Sequence, residues 1–180
     1  MLLIRPHAVP CNTFLRRYKD GPGFADCYVA EVSGAITQAA FIEAFYTSPL
    51  FKLERTLLAC LVRKPATDAD ARMLAAGKTE TFSAWRVEAQ SATELLLADM
   101  TGQTRSWLMA LPVDAGNGGI TTRLHFGSAV LPRPGSHGQR PAMGWIFHAL
   151  QGFHRVYSRL LLKAACKRLN RINAKAASAP

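Results

Sequence analysis

Acidic residues are missing from the whole stretch between Gln151 and Pro180, which holds seven Lys and Arg. The first 150 residues, with 15 basic and 12 acidic, carry only +3, so most of the formal charge of +10 belongs to one segment. That argues against a surface-wide polycation of the kind that binds nucleic acid in bulk, and leaves a local anionic contact or a solvated face. Cysteine is scarce as well. Cys11, Cys27, Cys60 and Cys166 contain no CxxC pair, and the nearest histidine, His7, is four residues from Cys11. This spacing excludes an ordinary structural zinc site and suits reduced thiols in a cytoplasmic protein. No apolar run approaches the roughly 20 residues that span a bilayer, and Met1–Ile4, ending at Arg5 and Pro6, is too short for a signal peptide. There is no repeat in the range of roughly 20 to 50 residues. GxSxG, HExxH, Walker and dinucleotide fingerprints are all lacking, and His148 and His154, six residues apart, point from different helix faces. No catalytic residue, metal or cofactor is expected on these grounds.

What remains is a single globular domain over residues 1–180, with a mass of 19.7 kDa, 49% apolar residues and 19% charged. A chain of this length buries enough surface to fold without disulfides or metals. Residues 1–23 read as irregular, and Phe24–Val32, aromatic and β-branched, reads as a first strand stopped by Ser33-Gly34. Helical signals follow. Thr37 opens one stretch, Ser48 with Pro49 behind it opens a second, and Thr67 with Asp68 and Asp70 opens a third that Gly77 ends. From Thr79 the period becomes two, in runs over Thr79–Ala89, Thr93–Met100, Gln103–Leu111 and Ile120–Leu131, which predicts an antiparallel meander. A three-residue loop at Thr101-Gly102-Gln103 would set Leu95, Leu97 and Asp99 opposite Met109, Trp107 and Arg105, and this is the favoured register. A two-residue loop would put Ala98 opposite Arg105 and Asp99 opposite Thr104. After a Pro- and Gly-rich loop, a long helix is predicted over 142–170. Its apolar stripe is Ile146, Leu150, Phe153, Tyr157, Leu160 and Ala164, and a disordered tail is predicted over 173–180.

The order of one strand, two or three short helices, a run of antiparallel strands and a long terminal helix resembles the helix-grip fold of the START and birch-pollen-allergen-like (SRPBCC) superfamily. The stretch Gly152-Phe153-His154-Arg155-Val156-Tyr157, running into Leu160-Leu161-Leu162-Lys163, also resembles the end of an uncharacterised bacterial family in that group. The resemblance implies an α+β fold in which a curved antiparallel sheet wraps the C-terminal helix and leaves a cavity between them. The family usually has six or seven strands, whereas five are easily found here. Missing strands are expected in the first 23 residues or in a split of Ile120–Leu131.

Such a cavity admits an apolar or amphipathic small molecule. The candidate lining is Phe82, Leu97, Trp107, Met109, Leu124, Phe126, Phe153 and Tyr157, with Asp99 and Arg105 at the mouth, where the arginine fork would hold an anionic head group. Asp26, Tyr28 and Glu31 lie on the first strand, and one of them could reach the cavity. Arg123 and His125 fall on the opposite strand face. The alternative is an interaction module. Arg155, Arg159, Lys163 and Lys167 recur every four residues and could dock on an anionic membrane surface or an acidic partner, while the absence of interleaved aromatics argues against nucleic acid.

Overall fold

The computed structural model describes residues 2–114, 119–132 and 144–177, with the side chains of 57–62, 144–154 and 175–177 excepted. Seven strands form one curved antiparallel sheet: β1 (Arg5–Pro6), β2 (Phe24–Ser33), β3 (Thr81–Phe82), β4 (Trp85–Gln90), β5 (Glu94–Asp99), β6 (Thr104–Asp114) and β7 (Ile120–Val130). They lie side by side in the order β1-β2-β7-β6-β5-β4-β3. The two strands missing from the sequence reading are β1, in the N-terminal segment, and β3. The second arises because Thr79–Ala89 is a tight hairpin, folded at Ser83 with φ +53°, while Ile120–Val130 stays whole.

Helix starts follow local side-chain chemistry. Thr37 accepts a hydrogen bond from the Ala40 amide ahead of α2 (Gln38–Tyr46), and Ser48 accepts from Phe51 ahead of α3 (Pro49–Val62). Thr67 and Asp70 form a reciprocal capping box for α4 (Asp68–Ala75), which stops before Gly77 at φ +66°. Lys52 and Arg55 on α3 both pair with Asp68, at 2.5 and 2.7 Å, tying α3 to α4.

The inner face of the sheet carries Tyr28, Ala30, Leu95, Leu97, Leu108, Leu124 and Phe126, packed against Phe41, Phe45 and Tyr46 of α2 and Phe51 of α3. The last element, α5 (Gly144–Ala177), lies against α2, α3, β2 and β7. It runs seven residues past the expected end at 170, into the segment read as a tail. Alanines favour the helix there, and Lys and Arg interact well with its exposed carbonyls. The expected start at 142 lies outside the described residues. Among the described side chains of α5 the buried ones are Ser158, Leu161, Leu162, Ala165, Cys166 and Leu169, so the stripe there is rotated from the predicted one and Leu160 is 47% exposed; the side chains of Ile146 and Leu150 lie outside the described residues.

The outer face is covered as well. Leu96, Trp107, Met109, Val29 and Ala129 form a second apolar cluster beneath Val9, Phe14, Leu15 and Tyr18 of the N-terminal segment, which contains the one-turn helix α1 (Arg16–Lys19). Glu94 anchors this strap. Its carboxylate accepts from the Trp107 indole N–H at 2.8 Å and from the Phe14 amide at 2.9 Å. Gly127 leaves room for Leu15, since a Cβ there would sit 3.0 Å from the Trp107 ring and 2.9 Å from the Asp26 carbonyl.

Between β5 and β6 the register is the alternative one: Ala98 faces Arg105, Leu96 faces Trp107 and Leu95 faces Leu108. Asp99 decides it. Its carboxylate accepts from the Gln103 and Thr104 amides at 2.8 and 2.9 Å, a turn contact that outcompetes a cross-strand ion pair with Arg105.

Candidate functional site

The predicted lining residues divide between the two faces. Phe82, Leu97, Leu124 and Phe126 come together on the inner face, as expected, but the space beside them is filled with rings. Phe45 lies 4.8 Å from Phe126, Tyr46 5.0 Å from Phe82, and Phe51 6.2 Å from Phe82, centroid to centroid. These α2 and α3 aromatics were assigned by sequence to helices but not to the cavity. Trp107 and Met109 point the other way, into the cluster beneath the strap. The register shift of one residue moves them there, because a one-residue slip exchanges the faces of a strand. The side chain of Phe153 lies outside the described residues.

Polar groups at the interface of sheet and helices are mostly paired with one another. Asp26, Ser128 and Ser106 form one cross-strand row on the inner face, and Ser128 donates to Asp26 at 2.7 Å. The Tyr46 hydroxyl lies 3.5 Å from Ser106. Tyr157, half-buried on α5, donates to Glu54 on α3, and burial raises the pKa of both the carboxyl and the phenol. Of the three first-strand candidates, Asp26 and Tyr28 face inward while Glu31 faces outward, paired with Arg123 at 2.7 Å. The thiols of Cys27 and Cys166 are pushed up to about 12 by burial, which keeps them protonated.

Arg105 does not meet Asp99. Its guanidinium pairs with Glu88 at 2.5 Å, donates to the Tyr18 hydroxyl at 3.1 Å and to the Gly102 carbonyl at 2.8 Å, and stacks over the Tyr18 ring at 5.0 Å. With these partners it is a clamp between β6 and the strap.

An open cleft of about 740 Å³ lies at the end of the sheet, between the β3–β4 hairpin, the β5–β6 turn and the chain that follows α3. Trp85 and Met100 give it apolar surface over the buried Phe82, and Lys64 and Arg86, both exposed, give it positive charge. Its acids are committed elsewhere: Asp70 to the cap of α4, where backbone hydrogen bonding from Thr67 lowers its pKa, and Asp99 to the β5–β6 turn. The indole N–H of Trp85 is buried with no partner among the described residues. Two non-glycine residues in the left-handed region hold the walls, Arg63 at φ +52° and Ser83 at φ +53°, and the Ser83 hydroxyl donates to the Lys64 carbonyl at 2.9 Å. Backbone strain of this kind costs on the order of 1 kcal/mol per residue and concentrates at ligand sites.

Arg155, Arg159, Lys163 and Lys167 are all exposed on α5. Among the described residues no group of three or more His, Cys, Asp or Glu side chains could hold a metal ion, and no helix is long and apolar enough to cross a membrane. No protein-family model, curated protein or solved structure matches the chain.

Proposed function

We propose that this protein binds a small amphipathic molecule with an anionic group, such as a fatty or aromatic carboxylic acid, in the cleft beside the β3–β4 hairpin. The observation that carries this reading is a cleft of about 740 Å³ that brings together apolar surface of Trp85 and Met100, an indole donor with no partner among the described residues, and two cations in no ion pair among the described residues. That size falls in the usual range of small-molecule sites, which are largely apolar with a few orienting polar groups. Lys64 and Arg86 take the anionic group, Trp85 and Met100 pack on the carbon skeleton, and the Trp85 N–H adds a directional donor. The ring-filled interior between sheet and helices favours this mouth over the buried cavity. The element order supports a place in the helix-grip superfamily, and the unpaired thiols of Cys11, Cys27 and Cys166 support a reducing, cytoplasmic setting.

A thermal-shift panel of fatty acids, isoprenoid acids and aromatic acids tests the proposal. A ligand at about a hundred times its Kd contributes ~2.7 kcal/mol, or about 5 to 10 °C in Tm for a domain of this size. The gain should vanish in Arg86→Glu for carboxylates and persist there for their neutral amides. A panel without any shift, or equal shifts in wild type and Arg86→Glu, would overturn the reading.

A further inference from the structure

The solvent side of α5 combines two features that a merely solvated helix does not need. Arg155, Arg159, Lys163, Lys167 and Arg171 advance about 40° per step on a regular helix, so the five sweep roughly 160° of its circumference. That arc is the one left open by the buried positions from Ser158 to Leu169, and all five residues are exposed. Among the described residues none of them is in an ion pair, although eight ion pairs form elsewhere; Arg159 alone of the five lies over a ring, that of Tyr28 on β2, 5.4 Å from its centroid. No acidic side chain occurs between Gln151 and Pro180 to neutralise them. Inside the same arc, one helical turn apart, Val156 is 58% exposed and Leu160 47% exposed.

From this juxtaposition we infer that the outer face of α5 docks on the surface of a bilayer rich in anionic phospholipid. Lys163, Lys167 and Arg171, with Arg155 at the edge of the arc, face the lipid phosphates, while Val156 and Leu160 enter the headgroup boundary. Long Lys and Arg side chains suit that position because their methylene stems cover apolar surface while their charged ends stay at the phosphates. A nucleic acid or an acidic protein would satisfy the charges but leave two aliphatic side chains without a use, and between Arg155 and Arg171 the arc carries no aromatic ring for stacking on bases. With only two apolar side chains to insert, the contact is peripheral, and because most of its strength is Coulombic it weakens as salt rises.

Co-sedimentation with vesicles tests this, using phosphatidylcholine alone and phosphatidylcholine mixed with phosphatidylglycerol, at low and high salt. Wild type should sediment with the mixed vesicles at low salt and stay in solution with neutral ones. Lys163→Glu/Lys167→Glu should lose about tenfold or more in partitioning, as expected for two cations at an anionic surface. Val156→Ser/Leu160→Ser should lose several-fold. All four side chains are exposed, so the fold should be kept. A circular-dichroism melt checks this, and Lys163→Gln/Lys167→Gln replaces the reversed-charge variant if that one melts early. Failure of wild type to sediment with mixed vesicles, equal sedimentation with neutral ones, or no loss in the charge variants overturns the inference. So does unchanged partitioning of Val156→Ser/Leu160→Ser, which would reduce the face to a general polyanion contact of the kind duplex DNA or polyglutamate also makes.

Discussion

His125 carries the clearest pH signature among the individual residues. It is buried on the outer face of the sheet between His7, at 5.6 Å, and Trp107, at 5.9 Å, and its Nδ1 has no partner among the described residues. Burial lowers its pKa from 6.5 to about 4, and the nearby His7 and Arg123 push in the same direction. The unfolded chain therefore takes up a proton near pH 6.5 that the folded chain resists until about pH 4. The stability present above pH 6.5 should fall as pH drops through that window, at no more than ~1.4 kcal/mol per pH unit. Denaturant melts at pH 7 and pH 5 would show this, and His125→Leu should flatten the difference. An identical pH dependence in both proteins would refute it. At this scale the sequence was informative about which face a residue takes and poor about its company. His125 and Arg123 were expected on the outer side and are there, but burial of the imidazole depends on a strap whose contacts have no period. Glu54, Tyr46, Ser106 and Ser128 carried no motif, since their pairings form across elements distant in the chain.

Among the elements, α5 gives the sharpest contrast. Leu162 is fully buried against the core while Leu160, two residues earlier, is half in solvent. Leu162→Ala should cost about 2 to 5 kcal/mol and Leu160→Ala well under 1 kcal/mol. Comparing their denaturation midpoints checks the orientation of the helix, and equal losses would contradict it. Three consecutive leucines explain why the stripe was misplaced, because Leu160, Leu161 and Leu162 are compatible with several phases of a helical period. Caps were legible for the opposite reason: Thr37, Ser48 and Thr67 bond to amides three residues ahead, within one reading window. The β5–β6 register was missed because Asp99 looked like a partner for Arg105, whereas its nearest donors are its own turn amides. The β3–β4 hairpin was missed because its turn places serine, not glycine, in the left-handed region.

On the scale of the whole molecule, the sheet is enclosed on both sides, by helices within and by the N-terminal strap without. The order of elements anticipated the first layer. Nothing anticipated the second, since Val9, Phe14 and Leu15 follow no periodicity. Leu15 is fully buried and fills the hollow left by Gly127. Leu15→Asp should release the strap, so that trypsin cuts at Arg16 and Arg17 far faster than in wild type and an environment-sensitive dye brightens on the bared Leu96, Trp107 and Met109. Unchanged cleavage would mean that the polar contacts of Glu94, Glu88 and Arg105 hold it without Leu15. The strand pairing has a further consequence, for synthesis. Phe24 finds its partner in Val130 and Ser33 in Thr121, so β2 leaves the ribosome long before β7 exists. Until then the nascent polypeptide holds a largely apolar ten-residue strand whose β7-facing edge is unclaimed, and shielding by the exit tunnel or a holdase over that interval would govern the yield of native molecules.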